Sequence, residues 1–450
     1  MRIGYLTFGD VALNYGLSLV MRKLKFEKYQ ITSRTAYIPE VLLFSCFWWE
    51  HLYLLADFLR KAELTNSAKR PIIIIGGFNT INPVPYAQYG DWVVVGDGEE
   101  ALPQLVNSRF KIIPQNVYRA GQQSVTYGCV PSLPPFYHVA DRITRIEIAR
   151  GCRFKCKFCG VSHIKPYREL PIQDIKILLD KRPTKKVSLF APTPQAHSQH
   201  KQIEKMCSDL QLVRSDSDIR LSDLEHLRHL AMPRVGIEGL SERLRKFVGK
   251  SYSNTYMLSM FNKFSSESKR TLVCYFILDL PGEIEEDYEE FFSLLGQFEN
   301  MDHPENFIFY PIFNLFLPFP NTPLGRCGIH WDRDYTWLHH RTLGGRDQRR
   351  WKIHASAERF KVMPPAKRVM AMVAIRAGEE FKELEAELTA KGAYRIQARR
   401  IAGAKLDVIL RVLEHYGGVE KYCGELQGTA PWDVVSLSSH SEGETNNVRT

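Results

Sequence analysis

Three features of the 450-residue chain predict an α/β architecture. Near the amino end, two glycine-terminated apolar runs, Pro71 to Gly77 (PIIIIGG) and Trp92 to Gly96 (WVVVG), read as strands of a parallel sheet covered on both faces. Successive β-branched residues suit a strand with no solvent-facing side. From Ile143 to Leu317, strand-like and helix-like stretches alternate in about six units. Beyond Gly325 helical periodicity takes over. Together these predict a Rossmann-like parallel layer over 1–135, a partial (β/α)6 barrel over 140–326 and a helical carboxyl-terminal extension over 327–432. The tail over 433–450, rich in Ser, Glu and Asn, reads as disordered.

In the first layer, Arg2 to Phe8 reads as a strand and Val11 to Leu24 as a helix. Val41 to Cys46 is a second strand, followed by an amphipathic helix from Trp48 to Ala62. Gly76-Gly77 ends one later strand, and Gly96-Asp97-Gly98-Glu99-Glu100 ends the next, ahead of a helix from Ala101. Ligands of parallel α/β layers sit at strand carboxyl ends, and glycine permits close approach of backbone to a ligand. Gly76, Gly77, Gly96 and Gly98 are therefore candidate cofactor-binding positions, although turn chemistry alone also accounts for such glycines.

The barrel pattern opens on Ile143 to Ala149. Helices follow over Ile172 to Lys181, Gln202 to Leu212, Leu224 to Leu230, Tyr256 to Phe264 and Glu286 to Phe298. Strands alternate with them over Lys186 to Phe190, Asp218 to Leu221, Arg234 to Glu238, Leu272 to Leu280 and Phe307 to Leu317. Chemistry in parallel barrels sits at the strand carboxyl ends.

The end of the first of those strands carries the sharpest signal. Gly151-Cys152-Arg153-Phe154-Lys155-Cys156-Lys157-Phe158-Cys159-Gly160 spaces three cysteines as C-x3-C-x2-C. A 4Fe–4S cluster takes four thiolates, so three without a matching fourth leave one iron open, which marks a catalytic rather than a purely electron-carrying centre. The competing reading is a zinc knuckle with His163 as fourth ligand, but zinc sites favour paired C-x2-C spacings.

This stretch resembles the signature of the radical S-adenosylmethionine (SAM) superfamily, in which an aromatic residue fills the place of Phe158. The resemblance implies that Cys152, Cys156 and Cys159 hold the cluster, that the open iron chelates SAM, and that Phe158 lies near the adenine. An electron from the cluster then cleaves SAM to methionine and a 5′-deoxyadenosyl radical. Barrel motifs extend the likeness. Gly236 to Lys246 (GIEGLSERLRK) resembles the family's fourth-strand motif, which makes Glu238, Ser241 and Arg243 candidate SAM contacts. An N-cap at Ser241 opening a charged helix is compatible with the same residues. Phe276 to Phe291, containing Pro281-Gly282, resembles the fifth-strand motif that flanks the adenine, and Phe313 to Gly325 resembles the closing strand and loop. Where the family often has a Gly-Gly-Glu-like triplet for the SAM amino group, this chain has Ala191-Pro192-Thr193. Tyr167-Arg168 fits a frequent Tyr-Arg position.

The amino-terminal layer is similar to that of the cobalamin-binding-domain class, with one departure: the D-x-H-x-x-G motif is absent, and no histidine precedes His51. The resemblance leaves two roles for the layer, a cobalamin cradle or a scaffold that positions substrate. It also implies a reductant partner such as flavodoxin or ferredoxin. Methylation of an unactivated carbon is the commonest outcome in that class, with rearrangement, cyclisation or sulfur insertion as alternatives. Sulfur insertion normally adds three further cysteines that Cys46 and Cys129 do not supply.

Hydrophobic content of 44% and charged content of 24% suit a globular protein, and no apolar run reaches membrane-spanning length. Absence of a signal peptide and an odd count of nine cysteines argue for the cytoplasm and against a disulfide framework. A net charge of +10 favours a polyanionic partner. His330 to Trp351 interleaves aromatics with arginines, which suits nucleic acid stacking or, more plainly, a cap on the barrel. A non-catalytic metal-binding module that recognises nucleic acid is accordingly the second class of reading. Ala366 to Ala377, Glu380 to Lys391 and Arg395 to Tyr416 read as helices.

Overall fold

The structure is a computed structural model that describes residues 1–7, 15–31, 39–64, 70–214, 218–226, 233–266, 271–301, 308–343 and 363–437. Its first sheet has strands β1 (Arg2–Thr7), β2 (Glu27–Gln30), β3 (Val41–Ser45), β4 (Ile72–Gly76), β5 (Trp92–Val94) and β6 (Val117–Tyr118), in the order β2-β1-β3-β4-β5-β6. All neighbours are parallel except β5 with β6. The chain turns outward in opposite directions after β1 and after β3, so a crevice opens at the carboxyl ends of this pair, the switch point of a doubly wound sheet.

Alternation along the apolar runs explains why both faces are covered. Ile73, Ile75, Leu42 and Phe44 pack with Leu52, Leu55 and Leu59 of helix Glu50–Lys61, whereas Ile74, Leu43 and Val94 pack with helices Tyr15–Lys23 and Ala101–Asn107. Strand β2 carries the polar sequence EKYQ, gives no apolar signal, and sits at the sheet edge, where a polar strand is tolerated.

Six barrel strands follow in two sheets. Ile143–Glu147, Lys186–Phe190 and Val213–Arg214 pair in parallel, and Asp218–Ile219, Arg234–Glu238, Thr271–Leu278 and Ile308–Leu315 form the other sheet. The third barrel position is filled by two segments: Val213–Arg214 pairs back with Lys186–Val187, Asp218–Ile219 pairs forward with Arg234–Val235, and residues 215–217 lie outside the described ones. The expected helix over Leu224 to Leu230 begins as a 3-10 turn, Leu221–His226, and its later residues lie outside the described ones.

The carboxyl-terminal extension bridges both halves. Helix Pro365–Arg376 is apolar nearly all round and correspondingly buried. Tyr53 Oη donates to the Met370 carbonyl (3.0 Å), Asn82 Nδ2 donates to the Ile375 and Ala377 carbonyls (3.0 Å each), and Arg60 forks onto Glu385. The single helix expected over Arg395 to Tyr416 is instead a hairpin, Arg395–Gln397 with Arg400–Ala402, followed by helix Leu406–Glu414. Ala398 (φ 48°) and Arg399 (φ 59°) both take left-handed φ, the geometry of a two-residue turn that matches strand twist. Helix Thr336–Leu343 begins in the aromatic and basic run; Trp337 packs on Tyr288 (ring centroids 5.1 Å) and Arg341 forks onto Glu289, which is the capping arrangement. Arg346, Arg349, Arg350 and Trp351 lie outside the described residues.

Val435–Ser436 returns to pair in parallel with Val125–Thr126. Residues 433–437, which the sequence assigned to a disordered tail, are thus part of the fold, and 438–450 lie outside the described residues. Among the described residues no helix is long and apolar enough to cross a membrane.

The buried Arg376 guanidinium donates to the carbonyls of Tyr422 (3.0 Å), Gly424, Gly325 and Cys327, fastening the loop after the last barrel strand to the extension. Arg376→Leu leaves these carbonyls unpaired and is expected to cost about 3 kcal/mol, read as a lowered midpoint in denaturant unfolding, whereas Arg341→Leu on the surface changes it by less than about 1 kcal/mol.

Candidate active site between the two sheets

The cysteine loop leaves the first barrel strand through Ala149–Arg150 and is closed by antiparallel pairing of that segment with Arg168–Glu169. Lys157 fixes its middle: its N–H donates to the Val248 carbonyl (3.1 Å) and its carbonyl accepts from Leu324 N–H (3.3 Å). Cys152 Sγ lies 3.9 Å from Thr193 Oγ1 at the end of the second barrel strand. Thr193 is a site residue that sequence reasoning passed over as a departure from the family triplet. Cys156 is buried and Cys152 and Cys159 are half-buried; all three thiols are free. Burial pushes the Cys156 thiol up, opposed by Lys250 and Arg220, whose positive charges favour a thiolate.

These residues fit a 4Fe–4S cluster. A cubane takes one thiolate per iron, so its three thiolates stand apart around the cluster rather than meeting at one ion. Among the described residues no three His, Cys, Asp or Glu side chains converge as a single-ion site requires. His163, the fourth ligand of the zinc reading, has its Nε2 against the Cys156 carbonyl at 3.1 Å.

Phe158 and Glu238 come together. With Tyr275, Ile277, Asn314 and Phe316 they line a cavity of about 330 Å³ at the carboxyl ends of the later barrel strands. Glu238 sits at φ 73° where strand register slips between Gly236 and Glu238, and the Lys250 ammonium donates to its Oε1 (2.8 Å) and to the Gly236 carbonyl (2.6 Å). Ser241 and Arg243 are elsewhere. Ser241 Oγ accepts from Leu244 N–H (3.1 Å) as the N-cap of helix Glu242–Phe247 and donates to Asp287. Arg243 pairs with Asp287 and donates to the Gly282 carbonyl (2.9 Å). Neither these two nor Pro281 and Gly282 line the cavity, because the compact cap–carboxylate network holds them on the flank of the barrel.

A larger cavity of about 520 Å³ lies at the switch point. Thr7 and Ser45 mark the ends of β1 and β3 there, and Gly76, Gly77, Gly96 and Gly98 all line it. Two of these glycines answer to the fold itself: Gly77 (φ 119°) and Gly96 (φ 92°) are left-handed, and a Cβ would fall 2.2 Å from the Cys46 carbonyl oxygen and 2.4 Å from that of Gly128. Gly76 and Gly98 do not: a Cβ on either would meet the chain only at 3.7 Å. Gly16, also in the wall, would meet nothing within 4 Å. Bare backbone where the fold itself tolerates a side chain is what close approach of a ligand requires. His51 joins this wall; its Nδ1 accepts from Phe47 N–H (2.9 Å), and burial lowers its pKa to about 4, so the ring is neutral.

The opposite wall comes from the barrel, through Glu147, Arg150, Lys165 and Phe190. Buried charges join the walls. Arg150 Nη1 lies 3.0 Å from Asp97 and 2.5 Å from Glu99, its Nη2 2.7 Å from Glu147, and Arg168 Nη1 2.9 Å from the other Asp97 oxygen. Burial alone would lower the Arg150 pKa and raise that of Asp97; the opposite charges reverse both directions. Tyr167 Oη donates to Glu169 (2.7 Å) and to the Ala196 carbonyl (3.1 Å), so this pair serves the loop's base rather than solvent.

Residues 146–295 match the model of the radical SAM superfamily and residues 57–122 that of the amino-terminal domain of radical SAM proteins. An uncharacterized protein of Methanocaldococcus jannaschii is 25% identical over 259 residues, covering 52% of this chain and 57% of that one. Bacteriochlorophyllide d C-8(2)-methyltransferase of Chlorobaculum tepidum is 21% identical over 313 residues, covering 60% and 64%. The chain thus spans less than two thirds of the length of these curated relatives. Among solved structures, the radical SAM methyltransferase TsrM of Kitasatospora setae, with cobalamin and a [4Fe–4S] cluster bound, superposes at a TM-score of 0.53 with 14% identity, over 72% of this chain and 77% of that one. That likeness is one of fold.

Replacing Arg150 by Met strands Glu99 and Glu147, leaves Asp97 to Arg168 alone, and is expected to destabilise the protein by about 3–5 kcal/mol, read in urea unfolding. Asp97 gives a pH signature. Its carboxyl is held below 3.8, so its stabilisation is complete above that value and is lost as pH falls through the lower folded value. Below about pH 4, the urea midpoint of the native protein should therefore fall more steeply than that of Asp97→Asn.

Proposed function

We propose that this radical SAM enzyme cleaves SAM at a 4Fe–4S cluster held by Cys152, Cys156 and Cys159, and methylates an unactivated carbon of its substrate with cobalamin seated in the switch-point cavity. The observation that carries the proposal is that cavity's construction. One wall is bare backbone at Gly16, Gly76 and Gly98, and the other belongs to the segment that bears the cysteines. When bound, the cluster supplies one electron to SAM, and cobalamin carries a methyl group between SAM and substrate.

The chain's own residues have definable parts in this reading. Phe158 offers a ring face and Glu238 a carboxylate to SAM in the smaller cavity, with Lys250 holding Glu238 in place. Thr193 Oγ1, beside Cys152, stands in for the missing family triplet as an acceptor for the SAM amino group. Lys157, bonded on both sides through its backbone, anchors the middle of the cysteine loop to the chain at Val248 and Leu324. A low-potential reductant such as flavodoxin or ferredoxin supplies the electron. His51 bears on the alternative. With Nδ1 accepting, its ring proton resides on Nε2, so the ring as held offers no free nitrogen lone pair to a metal. That observation favours either cobalamin held without a protein ligand, or radical rearrangement or cyclisation with the layer as scaffold.

Anaerobic reconstitution with iron and sulfide, reduction, and addition of SAM with and without hydroxocobalamin test the proposal. Expected products are 5′-deoxyadenosine and, with cobalamin retained on the protein, S-adenosylhomocysteine; both vanish in Cys152→Ala. Deoxyadenosine without cobalamin retention would favour the scaffold alternative, and a reconstituted protein with no cluster would sink the enzyme reading. Gly98→Leu, which fills the cavity, is expected to weaken cobalamin retention at least about tenfold with iron content unchanged.

A further inference from the structure

Lys165 is the cavity's anomaly. It follows helix Gly160–Ile164, directly beyond the cysteine loop, and its side chain enters the switch-point cavity from the barrel side. Its ammonium lies 4.9 Å from the centre of the Phe78 ring, which is itself stacked on Phe319 (4.9 Å). Among the described residues no carboxylate lies within 4 Å of it and no hydrogen-bond acceptor engages it, whereas Asp97, Glu99 and Glu147 are all held by Arg150 or Arg168. An ammonium crowded by protein over an aromatic face, without an acceptor, is costly to keep charged. Burial correspondingly lowers its pKa, opposed by the more distant Asp97.

We infer that Lys165 is the seat for a single anionic group, a carboxylate or a phosphodiester, of the molecule that occupies this cavity. Geometry supplies the rest of the ligand's description. The glycine wall faces an extended body at van der Waals distance, and Phe47 and Trp48, both exposed at 52% and 63%, present apolar surface at the mouth. Charge sets the valence. Three carboxylates against two guanidiniums and the ammonium sum to zero, so an anionic charge beyond the one that meets Lys165 finds no cation to balance it. The occupant thus presents one anionic group to Lys165 and a flat or extended body to the glycine wall. This rests on the cavity being a ligand site, as in the proposed function, but not on cluster chemistry or on methyl transfer.

The test therefore needs no SAM turnover. The dye 8-anilinonaphthalene-1-sulfonate is an aromatic monoanion, and N-phenyl-1-naphthylamine is its neutral counterpart. Both are titrated by fluorescence into the native protein, Lys165→Gln and Lys165→Arg. Lys165→Gln should weaken the anionic dye about tenfold and leave the neutral dye unchanged, and Lys165→Arg should retain both. Competition by benzoate or by diphenyl phosphate tells a carboxylate from a phosphodiester as the natural group. An unchanged affinity for the anionic dye in Lys165→Gln, or equal loss of both dyes, overturns the inference, the latter by showing a packing role.

Discussion

The Arg150 guanidinium is the constraint on which the site depends. It stands two residues before Cys152 and reaches out of the barrel to Asp97 and Glu99, which terminate β5 of the other sheet. A buried ion pair of this kind is weak evidence of net stability, since desolvation offsets much of the attraction. Its value here is positional. With Glu147 on the same guanidinium and Arg168 on the far oxygen of Asp97, the relative placement of glycine loop and cysteine loop is over-determined by directional, charge-assisted bonds. An unpaired member would be so costly that intermediate separations of the two halves are disfavoured.

Much of this was legible in the sequence, and what was not has physical reasons. The parallel layer and the barrel followed from β-branched runs and alternation because burial on both faces leaves a local signature. The four glycines were legible as strand ends, and all reach the cavity. Strand β2 was invisible because an edge strand need not be apolar. The hairpin at Arg395 to Ala402 was hidden by helix-forming side chains around a turn whose left-handed residues are Ala398 and Arg399, neither a usual choice. Ser241 and Arg243 were offered as ligand contacts by motif, yet Asp287, 46 and 44 residues on, takes both. Long-range partners of that kind, like Arg150 with Asp97, have no sequence signal beyond the presence of opposite charges.

Guanidinium groups solve a second problem, that of joining irregular backbone without water. Arg245 donates to the carbonyls of Tyr252 (2.8 Å) and Leu240 (3.0 Å), and Arg368 to those of Met363 (2.8 Å) and Arg333 (2.8 Å). With Arg376, these side chains use a rigid five-donor fork to satisfy loop carbonyls that no ladder could reach. The stretch after the last barrel strand, which Arg368 and Arg376 secure, carries Phe319, which covers Gly160 beside the cysteines and stacks on Phe78 of the cavity wall. The extension therefore bears on the site although none of its described residues lines either cavity.

The short strand Val435–Ser436 has a consequence for biogenesis. It pairs with Val125–Thr126, and Tyr127 N–H donates to the Ser436 carbonyl (2.8 Å). The next residue, Gly128, exchanges backbone bonds with Val95 and Asp97 at the foot of the glycine loop. A ribosome delivers the amino-terminal sheet long before it delivers residue 435, so this corner of the pocket lacks its last strand pairing until Val435 and Ser436 have been made.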